Sequence, residues 1–192
     1  FLYPNPASVL AFIENHDTDR FLGEGNNLPM LKQASTLLLT TRRIPQLYYG
    51  TEVMMNGVKS KSDGYVRKDF PGGWTGDATN ALTPAGRTKI QNECYDFYKT
   101  ILNWRKGNDV IAKGSMVQFM VQNGVYAYAR QYEGKTIFVM LNGTDAETTV
   151  PLKFYKEILK DSKQGKDILS GKAITFGEEL KMGPRESLVI EL

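Results

Sequence analysis

A run of polar and ionisable residues, Glu14–Arg20, directly follows a short apolar segment, Val9–Ile13. Ligands and catalytic groups collect at the carboxyl ends of the strands in parallel sheets, so this position is compatible with a functional site. There Asp17 could act on charge that develops in a substrate, and His16 could donate a hydrogen bond. In the alternative interpretation, the two side chains only hold a turn, and spacing alone leaves both interpretations open.

Four further candidate side chains, one carboxylate and three aromatic rings, follow later in the chain. The segment Ile44–Glu52 also passes from apolar to polar, so Glu52 could reach the same rim, whereas packing is favoured for Tyr49. Phe70 and Trp74 lie in a long glycine-rich loop. Their rings could stack on a ligand or close a local core, and the sequence favours neither interpretation.

Two strands and a helix between them are predicted to position these groups. Val9–Ile13 is apolar on both faces, which is typical of a strand buried in a parallel sheet. Pro29 opens a helix with apolar residues at helical spacing, and Ile44–Tyr49 is a second strand. The order strand, helix, strand predicts a βαβ unit.

A second helix is predicted from Thr83, where a cap residue precedes a proline, to a left-handed stop at Gly107. Its predicted buried stripe consists of Ile90, Cys94, Phe97, Tyr98, Ile101 and Leu102. Cys94 is the one cysteine of the sequence, which excludes an internal disulfide and a zinc site built on thiolates. Its place on the stripe predicts an inert thiol.

From Ser115 onward the apolar pattern changes to a period of two, and Asn123–Gly124 is a strong hairpin signal. The predicted strands are 116–122, 125–132, 135–142, 148–150, 167–169, 173–176 and 187–192. This half is typical of an antiparallel β-sandwich. We place the domain boundary at residue 113, which gives an α/β domain at 1–113 and an all-β domain at 114–192.

Composition excludes several classes of protein. The sequence of 192 residues carries a net charge of +3, which is too small a bias to indicate binding of nucleic acid. No apolar run is long enough to span a membrane. The lysines between 153 and 172 alternate with acidic residues and are predicted to form a solvated face. The sequence starts at Phe1 rather than Met, so we expect a processed or excised piece.

Several segments resemble conserved regions of the α-amylase superfamily. Phe12–Arg20 is similar to the Phe-x-x-Asn-His-Asp-x-x-Arg pattern at the seventh barrel strand of that family, and Ile44–Glu52 resembles its eighth strand. Val66–Trp74 is similar to a loop of the neopullulanase and cyclomaltodextrinase branch. Leu102–Lys106 resembles the final barrel helix, and a sandwich follows in the same order.

The resemblance implies a retaining hydrolase of α-linked glucans in which two carboxylates do the covalent work. Asp17 would be a third acidic residue that stabilises the transition state, and His16 would contact the same sugar. Side chains expected around the substrate are Asn15, Arg20, Tyr49, Glu52, Arg67, Phe70 and Trp74. No metal ligand is expected here and no cofactor is required, although calcium stays open for the parent enzyme.

The motifs that carry the nucleophile and the acid/base are absent from this sequence. The resemblance therefore implies the last two strand-helix units of a (β/α)8 TIM barrel followed by the sandwich. We expect the rest of the barrel and an α-glucan as partners, no activity of the chain alone, and an exported rather than cytoplasmic parent. The alternatives are a non-catalytic carbohydrate-binding or scaffold module, and a structural domain whose exposed strands pair with another chain.

Overall fold

The computed structural model describes residues 4–23 and 25–192, which form two compact units. One unit consists of Ser8–Leu38 and Arg43–Lys99. The other consists of residues 4–7, Leu39–Arg42 and Thr100–Leu192. Phe1, on which the expectation of an excised piece rests, lies outside the described residues. The domain boundary at residue 113 stays a prediction.

The chain is folded into five α-helices and ten strands within the described residues. The helices are α1 (Leu28–Thr40), α2 (Asp63–Val66), α3 (Lys89–Arg105), α4 (Asp109–Lys113) and α5 (Lys156–Leu159). The strands are β1 (Leu10–Ala11), β2 (Ile44–Pro45), β3 (Ser115–Gln118), β4 (Val125–Tyr132), β5 (Lys135–Asn142), β6 (Thr148–Pro151), β7 (Gln164–Asp167), β8 (Ala173–Thr175), β9 (Glu179–Met182) and β10 (Ser187–Glu191). Short 3-10 turns cover Pro6–Ser8, Thr51–Val53, Pro84–Gly86 and Leu152–Tyr155.

Strands β1 and β2 form a parallel pair, with Leu10 opposite Ile44, and α1 connects them. The predicted strand-helix-strand unit is confirmed by this pairing. The predicted burial of the first strand is wrong, because Leu10 is 51% exposed and Phe12 is 43% exposed. Within the described residues β1 has a single hydrogen-bonded neighbour, so no second strand covers its other edge.

The start of the second predicted helix is also corrected. Thr83 caps only a 3-10 turn, in which its hydroxyl accepts a hydrogen bond from Gly86 N at 3.3 Å. The α-helix α3 begins after Thr88, whose hydroxyl accepts from Gln91 N while Gln91 Oε1 accepts from Thr88 N. This reciprocal capping box fixes the helix start. The predicted stop is confirmed, since Gly107 has φ +76°.

The buried stripe of α3 is narrower than predicted. Cys94, Tyr98 and Ile101 are buried, at the spacing of one helical face. Ile90 and Leu102 are exposed, contrary to the prediction. Leu102 lies about 100° around the helix axis from Ile101, and Ile90 belongs to the first turn.

The second unit is an antiparallel, sandwich-like arrangement of two sheets. The six-stranded sheet has the order β3-β4-β5-β10-β7-β8, and β6 pairs with β9. Apolar side chains of both sheets share one core, which includes Val125, Phe138, Met140, Val150, Met182 and Ile190. The opposite face of the large sheet packs on α4 and Trp104. Because both faces are covered, β5 is apolar at the five consecutive positions from Ile137 to Leu141.

Local turn chemistry accounts for the correct strands of this unit. Asn123 and Gly124 have φ values of +50° and +80°, as a two-residue hairpin with positive φ at both central positions requires. The bounds of β4 and β5 are those predicted. In contrast, β9 was not predicted, and β7 ends at Asp167 rather than beginning there. The lysines between 153 and 172 are exposed, as predicted, but the same segment also forms α5 and buries Ile158 and Leu159.

Candidate functional site

The polar segment after β1 folds into a turn held by its own side chains. Asn15 Oδ1 accepts a hydrogen bond from Asp17 N at 2.8 Å, and Asn15 N donates to Thr18 Oγ1 at 3.0 Å. Asn15 therefore has a structural role in the turn. The side chains of His16 and Asp17 are 58% and 59% exposed.

Three side chains meet at the top of this turn, and we call them the His16–Asp17–Arg67 cluster. Asp17 Oδ1 lies 3.0 Å from Arg67 Nη2, and Asp17 Oδ2 lies 3.1 Å from His16 Nε2. Arg67 Nε also donates to the carbonyl oxygen of His16 at 3.0 Å. The carboxylate is thus fixed from both sides. Since a carboxylate has about four lone-pair positions, it keeps acceptor capacity toward solvent.

The segment around α2 supplies the partners of the turn. Ser62 caps α2 by accepting a hydrogen bond from Tyr65 N at 3.1 Å. Arg67 follows this helix, and its Nη2 also lies 3.4 Å from Asp63 Oδ2. Lys59 Nζ donates to Asp17 O at 3.0 Å. Sequence reasoning missed Lys59 and Asp63. Asp63 lies four residues after Lys59 and four before Arg67, and this spacing of opposite charges could have indicated the pairs.

Beneath the turn lies a buried ion pair that sequence reasoning did not predict. Glu14 Oε1 lies 3.3 Å from Arg20 Nη1, and both side chains are at most 2% exposed. Glu14 Oε2 accepts from Phe21 N at 2.5 Å, and the hydroxyl of Thr51 donates to Glu14 Oε1. The pair therefore connects the segment after β1 to the segment after β2.

Arg20 lies inside this unit, whereas the sequence places it on the rim. Its guanidinium packs on the rings of Tyr48 and Tyr49, with 3.9 and 4.8 Å to the ring centroids. It donates to Tyr49 O at 2.7 Å and to Val66 O at 3.1 Å. Only Nη2 has no partner in the described part of the chain. Burial is the main cause that raises the pKa of the Tyr48 hydroxyl.

The remaining predicted residues occupy different surroundings. The hydroxyl of Tyr49 donates to Lys68 O at 2.5 Å. Glu52 is half-buried in the turn Thr51–Val53. Phe70 is half-buried, but Trp74 is 71% exposed, and its backbone N donates to Asp77 Oδ2 at 3.0 Å. Among described residues, no hydrogen bond or ring contact joins the Trp74 side chain to the cluster.

The cluster offers a fixed and exposed anion beside a guanidinium and an imidazole. Such a group can accept hydrogen bonds from hydroxyls and can stabilise positive charge on a bound molecule. Over residues 4–23 and 25–192, no group of three His, Cys, Asp or Glu side chains is placed to hold a metal ion. Within the same residues, no helix is both long enough and apolar enough to cross a membrane.

Residues 116–191 match the family model of the cyclo-malto-dextrinase C-terminal domain. The chain is 30% identical to an α-amylase of Niallia circulans over 88% of its length and 29% of that protein. It is 31% identical to a cyclomaltodextrin glucanotransferase of Thermoanaerobacterium thermosulfurigenes over 83% of its length and 21% of that protein. The chain thus spans less than a third of each of these relatives.

The fold has a close counterpart among solved structures. The crystal structure of an Anoxybacillus α-amylase superimposes on 98% of this chain with a TM-score of 0.77 and 21% identity, covering 39% of that enzyme. At this identity the comparison establishes the fold alone. The sequence matches, which include the cyclo-malto-dextrinase C-terminal domain at residues 116–191, show that the chain is similar to the C-terminal part of α-amylase-family proteins.

Proposed function

We propose that this chain is part of a retaining glycoside hydrolase that cleaves α-glucosidic bonds of starch-like glucans. In this proposal Asp17 stabilises the transition state, and His16 contacts the same sugar. The nucleophile and the acid/base come from outside these 192 residues, so the chain alone is inactive. Its relatives are named α-amylase and cyclomaltodextrin glucanotransferase, which supports an α-glucan as the substrate.

The observation that carries the proposal is the state of the Asp17 carboxylate. It is exposed, yet each of its oxygens is held within 3.1 Å by a neighbouring side chain. An oxocarbenium-like transition state gains most from an anion that does not have to reorganise during the reaction. Exposed ion pairs contribute at most about 1 kcal/mol to stability, so the geometry supports a function better than it supports a purely structural role.

Exposed apolar side chains on the two parallel strands support the presence of further barrel strands. Leu10 and Ile44, which face each other in the register, are each about half exposed, and Phe12 follows them. A (β/α)8 barrel would bury such side chains in the layers inside the closed sheet. We therefore propose that the rest of the barrel covers them in the parent enzyme.

Arg20 takes a positioning role in this proposal instead of direct contact with the glucan. Its buried guanidinium joins Glu14 to the Tyr49 backbone and so holds the segment that carries Asp17. The exposed ring of Trp74 is the better candidate for stacking on substrate. Calcium binding and export of the parent protein stay predictions, and no calcium ligand is proposed among the residues described.

The first experiment measures release of reducing sugar from maltoheptaose by the 192-residue chain. We expect none, and release that Asp17→Asn abolishes would contradict the proposed division of the active site. The second experiment uses a longer protein that contains this chain and its upstream strands. There Asp17→Asn should lower kcat by about 10²- to 10³-fold with a small change in KM.

The matched control for the second experiment is Asp96→Asn. Asp96 is exposed on α3, so its replacement removes the same charge away from the cluster. Its kcat should stay at the level of the unmodified enzyme. An equal loss of kcat in both variants, or a loss in KM alone for Asp17→Asn, would argue against a transition-state role.

The second candidate function is a carbohydrate-binding module, and the 71% exposure of Trp74 favours it. In that case the isolated chain binds maltoheptaose in isothermal titration, and Trp74→Ala abolishes the binding. If the isolated chain binds maltoheptaose through Trp74 and Asp17→Asn leaves turnover of the longer protein unchanged, a carbohydrate-binding module explains the chain better than an active-site fragment does.

A further inference from the structure

The sandwich unit has a cavity of about 610 Å³ beside the end of α3. We propose that this cavity is a second binding site for a short neutral α-gluco-oligosaccharide, separate from the cluster around Asp17. The choice of an α-linked glucan rests on the proposed function. The volume lies in the range of about 300–1,000 Å³ that is usual for small-molecule sites.

Two aromatic rings line the cavity, and both are held in place. Trp104 and Tyr132 are half-buried and pack on the core of the large sheet. The indole Nε1 of Trp104 donates to Glu191 Oε1 at 2.7 Å, which fixes the orientation of the ring. Rigid rings present apolar area at little cost in side-chain entropy, and the carbon-bound hydrogens of a sugar ring pack on such faces.

The polar part of the lining suits a neutral ligand. Lys106 and Lys135 are opposed by Asp109, Glu133 and Glu191, so neither sign of charge dominates. Asp109 is also neutralised by Lys113 at 3.1 Å. A lining with both donors and acceptors and little net charge matches hydroxyl groups, each of which donates and accepts.

Asn108 provides a specific donor in this lining. Its Oδ1 accepts hydrogen bonds from Val110 N at 3.1 Å and Ile111 N at 3.4 Å, as the N-cap of α4. Its amide NH2 group makes no hydrogen bond within the described part of the chain. Asn108 is half-buried in the lining, so this NH2 group can donate to a ligand hydroxyl.

A further cavity of this unit, of about 530 Å³, has a different lining. Its lining contains four lysines, at 153, 156, 160 and 163, and no tryptophan or tyrosine. We therefore assign the saccharide to the cavity of Trp104, and the lysine-lined cavity provides a control position on the same unit.

Intrinsic fluorescence tests the proposal, because Trp74 and Trp104 are the two tryptophans of the sequence. In the full 192-residue chain with Trp74→Phe, all tryptophan emission comes from Trp104. Titration with maltoheptaose should then give a saturable change of emission, whereas cellohexaose should give none. No saturable change, or an equal response to both sugars, would overturn the assignment of an α-glucan.

Variants then locate the site by isothermal titration in the Trp74→Phe background. Trp104→Ala should weaken binding by about tenfold or more, since a central aromatic anchor is lost. Asn108→Asp keeps the helix cap and removes the NH2 donor, so it should weaken binding by several-fold even if Trp104→Ala fails to fold. Lys156→Gln, in the other cavity, should leave the affinity unchanged.

The result also separates this site from the proposed active site. Asp17→Asn should not alter binding measured through Trp104, because Asp17 is absent from the cavity lining. Unchanged affinity in both Trp104→Ala and Asn108→Asp, or loss of binding with Asp17→Asn, would overturn this proposal. The proposed function fails instead when Asp17→Asn leaves turnover of the longer protein intact.

Discussion

The buried Glu14–Arg20 pair gives the most direct test of how the structure holds its site. In Arg20→Ala, the Glu14 carboxylate, which is 2% exposed in the structure, loses its counter-charge. The variant also removes hydrogen bonds to Tyr49 O and Val66 O and the packing on Tyr48. Because breaking one side of a buried ion pair costs about 3–5 kcal/mol, we expect a loss of that size in the free energy of unfolding.

The double variant Glu14→Gln with Arg20→Met, measured beside the two single variants Glu14→Gln and Arg20→Met, separates the pair interaction from the other contacts of Arg20. Replacing both charges removes the cost of an unpaired buried ion, so the double variant should be more stable than the sum of the single variants predicts. We expect the sum to overestimate the loss by about 1–3 kcal/mol. Glutamine keeps one of the two acceptor oxygens of Glu14, so it can still accept from the Phe21 amide, while the Thr51 hydroxyl keeps Tyr48 O as an acceptor.

Urea unfolding followed by circular dichroism measures these free energies. Native-state hydrogen exchange of the Phe21 amide, which donates to Glu14, measures the local effect. The control is Lys32→Ala, which breaks an exposed pair with Glu93 at 2.6 Å and should cost no more than about 1 kcal/mol. An Arg20→Ala loss as small as that of the control, or strict additivity, would refute the reasoning.

Three further predictions follow from other contacts. Burial raises the pKa of the Cys94 thiol from 9.0 to about 12, so the contribution of the protonated thiol to stability is complete below pH 9 and is lost as the pH rises. Between pH 9 and 10 the free energy of unfolding should therefore fall by about 1 kcal/mol more than in Cys94→Ala, which urea unfolding at both pH values measures. Gly124 and Gly134 both have positive φ, but only at Gly124 would an added Cβ lie 2.4 Å from the Thr144 side chain. Gly124→Ala should therefore lower the temperature of thermal unfolding more than Gly134→Ala does, and equal decreases would contradict this steric argument. In the longer enzyme, Arg67→Gln should lower kcat by about tenfold, because the Asp17 carboxylate loses its charged partner at 3.0 Å. An unchanged kcat would contradict the idea that Arg67 holds Asp17 in position.

Local patterns predicted the part of the fold in which neighbouring residues decide the outcome. Strands β4 and β5 are joined by Glu133–Gly134, and the preceding turn is Asn123–Gly124, so turn chemistry fixes both the strands and their register. Strand β9 alternates charged and apolar residues, but it is only four residues long, and its pairing with β6 makes it a strand. Helix α5 was missed because it is only four residues long and the lysines of the surrounding segment obscure the buried Ile158 and Leu159.

The sequence also predicted only part of the candidate site, namely the part whose residues are close together in the chain. The segment Glu14–Arg20 was recognised from its residue types after an apolar strand, and the structure does expose Asp17 there. The partnership of Asp17 with Arg67 spans 50 residues, and no local pattern contains it. The burial of Arg20 depends on the rings of Tyr48 and Tyr49 and on Glu14, which only folding brings together.

By itself, the sequence determined the family resemblance, the hairpins of the second unit and the location of the polar turn, because each depends on residues that are close in the chain. Only the tertiary structure decided which charges are buried and which are exposed. Arg20 and Arg67 are both arginines near the same turn, yet one is enclosed and the other contacts an exposed carboxylate. Burial depends on what packs around a side chain in space, and the energy of a charge changes most with that surrounding.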